Sequence, residues 1–181
     1  MNQKKICAIA LSISLLFVAA CTDVPLSFST KLTDTRIIGF WQDSDNTIFE
    51  IRQSDGGIAN MIPYEFNEET KEFQPADDPA LLYFTSITEN GDTFQFISLE
   101  TECESGKCFY SVRFSISTTG ALIVEEINSE FLEKVNKTPK NGAAIFGSPE
   151  SYREFVKNNM RDLELFKASE TMLRLQGLPK G

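Results

Sequence analysis

The stretch Cys108–Ile127, with the sequence CFYSVRFSISTTGALIVEEI, predicts the fold class most directly. In its first half, polar side chains alternate strictly with four apolar ones, Tyr110, Val112, Phe114 and Ile116. Such alternation places one face of a β-strand in a core and the other face in water. The turn Thr118-Thr119-Gly120 then leads at once into a second apolar run. Since so short a turn joins antiparallel neighbours, the stretch predicts an antiparallel meander.

The same signals repeat on the N-terminal side of this stretch, where β-branched and aromatic runs are separated by turn residues. Asn90-Gly91 is one of the stronger two-residue hairpin signals. Seven strands are predicted in all: Arg36–Trp41, Thr47–Gln53, Ile58–Tyr64, Leu81–Thr88, Thr93–Glu100, Cys108–Ser117 and Ala121–Ile127. The acidic segment Asn67–Pro79 is predicted to be an exposed loop or irregular edge, and an eighth strand would lie in Tyr64–Phe73. Residues 36–127 are therefore predicted to form a seven- to eight-stranded antiparallel meander or small barrel, because closure removes exposed edges.

C-terminal to these strands the apolar period changes to that of helices. Ser129–Asn136 is a short helix candidate, and Ser148-Pro149 supplies the N-cap and first residue of an amphipathic helix. A last short helix is predicted over 169–176. Residues 128–181 are thus predicted to be a C-terminal helical segment of two or three short helices, packed on the same domain. The predicted fold class is mainly β with C-terminal α (α+β).

The first twenty residues read as a segment that the folded protein discards. Lys4 and Lys5 precede the apolar run Ile6–Ala20, which has the length of a signal peptide and is too short to span a bilayer. The run ends in Val18-Ala19-Ala20-Cys21, which resembles the lipobox of bacterial lipoprotein precursors. This resemblance implies cleavage before Cys21, a thioether bond from its sulfur to diacylglycerol, and acylation of the new amine, for example with palmitate. The alternative is ordinary secretory cleavage next to a chance cysteine.

A lipidated Cys21 makes the bilayer itself a partner of the protein. Thr22 follows it, where an Asp would resemble the inner-membrane retention signal of enteric bacteria. That analogy predicts the periplasmic face of the outer membrane in a Gram-negative bacterium. Residues 21–35, rich in Thr, Ser and Asp, are predicted to be the lipidated cysteine and a flexible tether.

The remaining cysteines fit an oxidising compartment. Cys7 lies in the signal peptide and Cys21 takes the lipid, which leaves Cys103 and Cys108 across the turn-like Glu104–Lys107. These two are predicted to form a structural disulfide that staples a hairpin. The alternative is a redox-active dithiol or half of a metal site. Because the spacing is not C-x-x-C and the chain has no histidine, we predict no metal site and no cofactor.

Charge and composition exclude several classes of function. The chain has 17 basic and 26 acidic residues and a net charge of −9. Removing residues 1–20 takes away Lys4, Lys5 and no acidic residue, so the remaining 161 residues carry −11. Such a surface repels nucleic acid, so no nucleic-acid partner is predicted. Without histidine, the commonest general base is absent, and we predict no enzyme, with a carboxylate-based hydrolase as the alternative.

The tripeptide Gly39-Phe40-Trp41 lies in the first predicted strand. A G-x-W at this place resembles the lipocalin/calycin group, and the resemblance implies a small barrel that holds an apolar ligand. The arginine that usually packs on this tryptophan cannot be identified from the sequence. Five aromatic residues are candidates for ligand binding or for the core: Trp41, Phe84, Phe94, Phe96 and Phe114.

Two functions follow as hypotheses. The first is a non-enzymatic envelope lipoprotein that binds an apolar small molecule or supports the cell envelope. The alternative is a protein-binding inhibitor or adaptor, because acidic lipid-anchored barrels with a disulfide resemble the membrane-bound lysozyme inhibitors. Ser105-Gly106 near the predicted hairpin tip, with Tyr110 beyond it, is a fragment of the loop that this second resemblance requires.

Overall fold

The computed structural model of the protein describes residues 21–54, 57–103, 106–135, 144–167 and 169–179. The predicted signal peptide, residues 1–20, lies outside this part of the chain. The described residues form two α-helices, α1 (Ser129–Lys134) and α2 (Pro149–Asn159), and a short 3-10 helix at Thr35–Ile37. They also form ten strands: β1 (Cys21–Thr22), β2 (Gly39–Gln42), β3 (Ile48–Gln53), β4 (Ala59–Asn67), β5 (Glu72–Pro75), β6 (Ala80–Glu89), β7 (Asp92–Cys103), β8 (Gly106–Ile116), β9 (Leu122–Glu126) and β10 (Glu170–Leu175).

Eight of these strands pair into a closed antiparallel ring, in the order β2, β3, β4, β6, β7, β8, β9, β10 and back to β2. The last strand closes it, because Glu170–Met172 pairs with β9 and Leu173–Leu175 pairs with β2. The two shorter strands are additions: β5 forms a hairpin with the end of β4, and β1 pairs with β8. The prediction of a mainly β, antiparallel fold is therefore confirmed.

All seven predicted strands are present, but the C-terminal prediction is wrong in one element. The segment predicted as a last helix is the strand β10. Without it, β2 and β9 would each present an unpaired edge, and β10 satisfies the backbone groups of both. The predicted helices at Ser129 and Pro149 are confirmed, and the Ser148 side chain accepts a hydrogen bond from Ser151 N as an N-cap. Neither α1 nor α2 has the length and hydropathy that crossing a membrane requires.

The segment Asn67–Pro79 is more regular than the predicted loop. β4 continues to Asn67, and β5 pairs back onto it with Phe73 opposite Phe66. The turn between them places Lys71 at a φ of 57°. The cross-strand contact of Phe66 with Phe73, whose ring centres lie 5.3 Å apart, stabilises this hairpin despite the acidic composition.

The N-terminal segment is not the predicted free tether over its first nine residues. Thr22 pairs with Phe109 on β8, and Leu26 is fully buried, with its N–H donating to the Ser98 hydroxyl at 3.1 Å. Farther on, the carbonyl of Ser29 accepts a hydrogen bond from Phe84 N at 2.7 Å. The reason is an alternation of Val24, Leu26 and Phe28 within the Thr/Ser-rich composition. Val24 and Leu26 pack against buried apolar residues, and the largely exposed Phe28 contacts the rings of Tyr83 and Phe109.

A second layer covers the outer face of β6, β7 and β8. It is an apolar cluster built from α1, α2, the N-terminal segment and the residues near them, and it includes Leu26, Ile87, Phe96, Phe131, Tyr152 and Val156. Ser111, on the strand face predicted to be in water, is therefore fully buried and hydrogen-bonded to Ser98 at 2.8 Å. The core of the protein thus has two parts, one inside the ring and one between the ring and the helices.

Candidate functional site

One end of the ring is closed around Trp41. This side chain is fully buried, and its indole N–H donates to the Ile37 carbonyl at 2.7 Å. The guanidinium of Arg174, on β10, lies 5.4 Å from the centre of the Trp41 ring. It also donates to the carbonyls of Arg36, at 3.0 Å, and Ile38, at 2.7 Å. Arg174 thus ties the last strand to the 3-10 helix that covers this end, which we call the closed end.

Gly39 is the residue that lets Arg174 reach this position. Its φ is 140°, a conformation that side chains disfavour, and a Cβ there would lie 3.2 Å from Nη2 of Arg174. The glycine and tryptophan of the Gly39-Phe40-Trp41 motif therefore act together with Arg174. Arg174 was not identifiable from the sequence as this partner, because the segment around it was predicted to be a helix and is the strand β10.

The five candidate aromatic residues divide into two groups. Trp41, Phe84 and Phe114 meet in the cluster that fills the ring at its closed end, together with Ile51, Leu82, Ile97 and Leu122. Phe94 and Phe96 lie on the other face of β7 and pack in the outer layer. They are therefore core residues outside the ring and do not line its interior.

Away from the closed end, five strands each carry an inward-facing apolar residue that is only half-buried and packs against the buried cluster. These residues are all apolar: Phe49, Met61, Leu99, Val112 and Met172. Leu99, for example, follows Ile97, which is 6% exposed, and Val112 precedes Phe114, which is 3% exposed. We call this half-buried apolar surface inside the ring, formed by Phe49, Met61, Leu99, Val112 and Met172, the cup.

Polar side chains form the rim of the cup. Glu126 faces inward opposite Val112, and its carboxylate binds Lys167 Nζ at 3.0 Å. Glu170 faces inward opposite Val124 and accepts a hydrogen bond from the Ser44 hydroxyl at 3.3 Å. Glu125, the neighbour of Glu126, faces outward to Arg113, as strand geometry requires. The two adjacent carboxylates therefore belong to different sites.

Tyr110 lies at the rim between the walls and these charges. Burial, and after it the hydrogen bond to the Glu126 carboxylate, raises the pKa of the Tyr110 hydroxyl above its ordinary value. The hydroxyl therefore stays protonated at neutral pH and acts as a donor to Glu126. Together, Tyr110, Glu126, Lys167 and Glu170 give the rim hydrogen-bonding groups of both charges above apolar walls.

Two cysteines lie at the same rim. Cys21 stands opposite Tyr110 in the register and is 5% exposed, and Cys108 is fully buried beside them. In the β7–β8 hairpin, Cys103 is opposite Gly106 and Cys108 is opposite Thr101. The side chain of Cys103 lies outside the described part of the chain, as does Ser105 of the inhibitor-like fragment. The Cys103–Cys108 disulfide and the lipidation of Cys21 therefore stay predictions.

A concavity lies on the outside of the ring, between β6 and α2. It has a volume of about 400 Å³, and its lining is mostly charged or polar, with Arg153, Glu154 and Lys157 on α2. It lacks the apolar walls that small-molecule sites usually have, so the cup is the better candidate. Within the described residues, no three acidic, cysteine or histidine side chains are grouped as metal ligands would be.

Comparisons with protein-family models, with curated proteins and with solved structures gave no match to this chain.

Proposed function

We propose that this protein is a membrane-anchored, periplasm-facing lipoprotein whose cup binds an apolar or amphipathic small molecule without catalysing a reaction on it. The observation that carries the proposal is the line of half-buried apolar residues on five strands, directly above a fully buried core. Apolar surface in contact with water favours an apolar occupant. A concave site with few polar groups at its edge is the usual form of a small-molecule site.

The dimensions of the ring support an interior with room for a ligand. The stagger of the ring follows from its strand register. Starting at Trp41, we step from each residue to its partner on the next strand and extend the register where a strand is short. After eight strands the path returns to β2 twelve residues from Trp41, so the stagger is twelve. A TIM barrel with the same number of strands has a stagger of about eight, and side chains fill its interior. Strand tilt and ring size grow with this stagger, so the present ring is wider.

We also propose that the ring is a small barrel of the lipocalin/calycin type. Its support is the contact of Gly39, Trp41 and Arg174 at the closed end, which pairs the sequence motif with an arginine from the last strand. The helix α2 lies between the seventh and eighth strands of the ring. The proposal therefore concerns the ring and its closed end, and the helical layer is an addition of this chain.

Filling the cup is expected to weaken ligand binding without unfolding the protein. Val112→Phe places a ring in the space above Phe114, so the affinity for 1-decanol should fall at least about tenfold. The measurement is isothermal titration calorimetry of the full chain, kept soluble by a non-ionic amphipathic polymer. The same substitution at the exposed Val135, Val135→Phe, is the matched control and should leave the affinity unchanged. Equal affinities for wild type and Val112→Phe would overturn the cup as the binding site.

The lipid anchor has a structural consequence at Cys21. This side chain is packed against Tyr110 and Cys108, so a bulky diacylglycerol on its sulfur requires Cys21 and Thr22 to leave β8. Their release breaks two register pairs to β8, the hydrogen bond from Ala144 N to the Cys21 carbonyl at 2.8 Å, and the hydrogen bond from the Thr22 hydroxyl to the Phe109 carbonyl at 3.2 Å. We expect the protein isolated from membranes to start at Cys21 and to carry the mass of the lipid on that residue. Cys21→Ser should lose this mass and leave the membrane fraction, and an unmodified Cys21 in the isolated protein would overturn the anchor.

A further inference from the structure

The charges at the rim bear on the kind of ligand, if the cup is a binding site as proposed above. Glu126 and Glu170 both face inward, and Lys167 forms an ion pair with Glu126. The other inward cation, Arg174, lies at the closed end, where backbone carbonyls hold its guanidinium. The cup therefore has more negative than positive charge at its opening.

The two rim carboxylates differ in how they are used. The Glu126 carboxylate already accepts hydrogen bonds from Lys167 Nζ, at 3.0 Å, and from the Tyr110 hydroxyl. Glu170 is half-buried, and its carboxylate accepts a hydrogen bond from the neutral Ser44 hydroxyl. Within the described part of the chain it forms no ion pair. Among the described residues Glu170 therefore has no partner of opposite charge, and a half-buried carboxylate gains from such a partner.

The position of Glu170 relates this charge to the apolar walls. Met172 lies two residues after Glu170 on β10, on the same inward face. Val124 lies opposite Glu170 on β9. Both belong to the apolar surface inside the ring. A hydrocarbon chain lying against Met172 and Val112 therefore has its polar end next to the Glu170 carboxylate. The cup and its rim together match one elongated molecule with an apolar body and a single charged end.

We propose that the cup selects an amphiphile whose head group is a protonated amine, with the ammonium bound by Glu170 and the hydrocarbon chain in the cup. A carboxylate head would meet Glu170 with charge of the same sign, and in a half-buried site this repulsion is stronger than in water. An alcohol head hydrogen-bonds at the rim without a charge. The expected order of affinity is amine, then alcohol, then carboxylate, for the same chain length.

The test compares decylamine, 1-decanol and decanoate on the full chain, held in a non-ionic amphipathic polymer without aromatic groups. Fluorescence of Trp41, the single tryptophan, reports occupancy above it, and calorimetry gives the affinities. We expect decylamine to bind about tenfold more tightly than 1-decanol at pH 7 and low salt, with the difference shrinking at high salt. Glu170→Gln should remove this preference and leave the affinity for 1-decanol unchanged.

Glu154→Gln, on the exposed side of α2, is the matched control, because it changes the net charge equally and should keep the preference for the amine. Decanoate binding as tightly as decylamine would overturn the proposed selectivity while leaving the cup as a ligand site. A preference for decylamine that persists in Glu170→Gln would overturn the role of Glu170. Failure of all three probes, including 1-decanol, would instead overturn the proposed function.

Discussion

Replacing Trp41 by alanine is expected to lower the free energy of unfolding by about 3–5 kcal/mol, the range for deleting a large buried aromatic side chain. Trp41 is fully buried, closes the ring beside Ile37, and supports the guanidinium of Arg174. Without the indole, a cavity remains at the closed end and the Ile37 carbonyl loses its donor. For a chain of this length the melting temperature should fall by about 10 °C.

The measurement is chemical denaturation of the full chain followed by circular dichroism. Trp41→Phe is the comparison, since it keeps most of the buried apolar area and loses the indole N–H, so its cost should be less than half as large. A loss below about 1 kcal/mol for Trp41→Ala would contradict the closed end described above, because a fully buried tryptophan cannot be removed so cheaply.

The strands of the ring were predictable because alternation acts locally. In Cys108–Ser117 the alternating residues Tyr110, Val112, Phe114 and Ile116 face the ring interior, so the periodicity located β8 and its inward face. Phe109 departs from this pattern and lies on the outer face, against Phe28 and Tyr83. The inward face of β7 was harder to predict, because both faces of this strand are apolar. Phe94 and Phe96 lie on one face, and Ile97 and Leu99 lie on the other. Which face lies inside depends on the helical layer, and no local pattern contains that information.

The elements that sequence analysis missed depend on distant partners. β10 has apolar residues at spacings that also suit a helix, and its conformation is decided by the free edges of β2 and β9. The N-terminal segment is polar in composition, yet Asp23 is held by the backbone N–H groups of Phe146 and Gly147 at 2.7 and 2.9 Å. Of the rim groups, Lys167 precedes β10 and Glu170 is its first residue, so missing that strand concealed the polar part of the candidate site.

Arg113 connects the outer layer to the rim, and Arg113→Ala is expected to cost about 2–4 kcal/mol of stability. Its guanidinium binds both oxygens of Glu125, at 2.7 and 2.8 Å, and lies 4.0 Å from the centre of the Phe166 ring. The side chain is 20% exposed, so its removal leaves Glu125 partly buried without a cation and uncovers Phe166. Arg113→Lys keeps the charge but loses the planar fork and the stacking, so most of the cost should remain.

This substitution should also loosen the rim, because Phe166 precedes Lys167 in the chain. Lys167 N donates to the Glu126 carbonyl at 2.9 Å, and hydrogen exchange of this amide should accelerate in Arg113→Ala. A double-mutant cycle with Glu125→Ala separates the ion pair from the stacking on Phe166. If the Arg113–Glu125 ion pair contributes more to stability than the stacking on Phe166, the coupling energy between Arg113 and Glu125 should exceed about 1 kcal/mol. A coupling near zero, together with unchanged exchange at Lys167, would mean that Arg113 neither depends on Glu125 nor holds the rim in place.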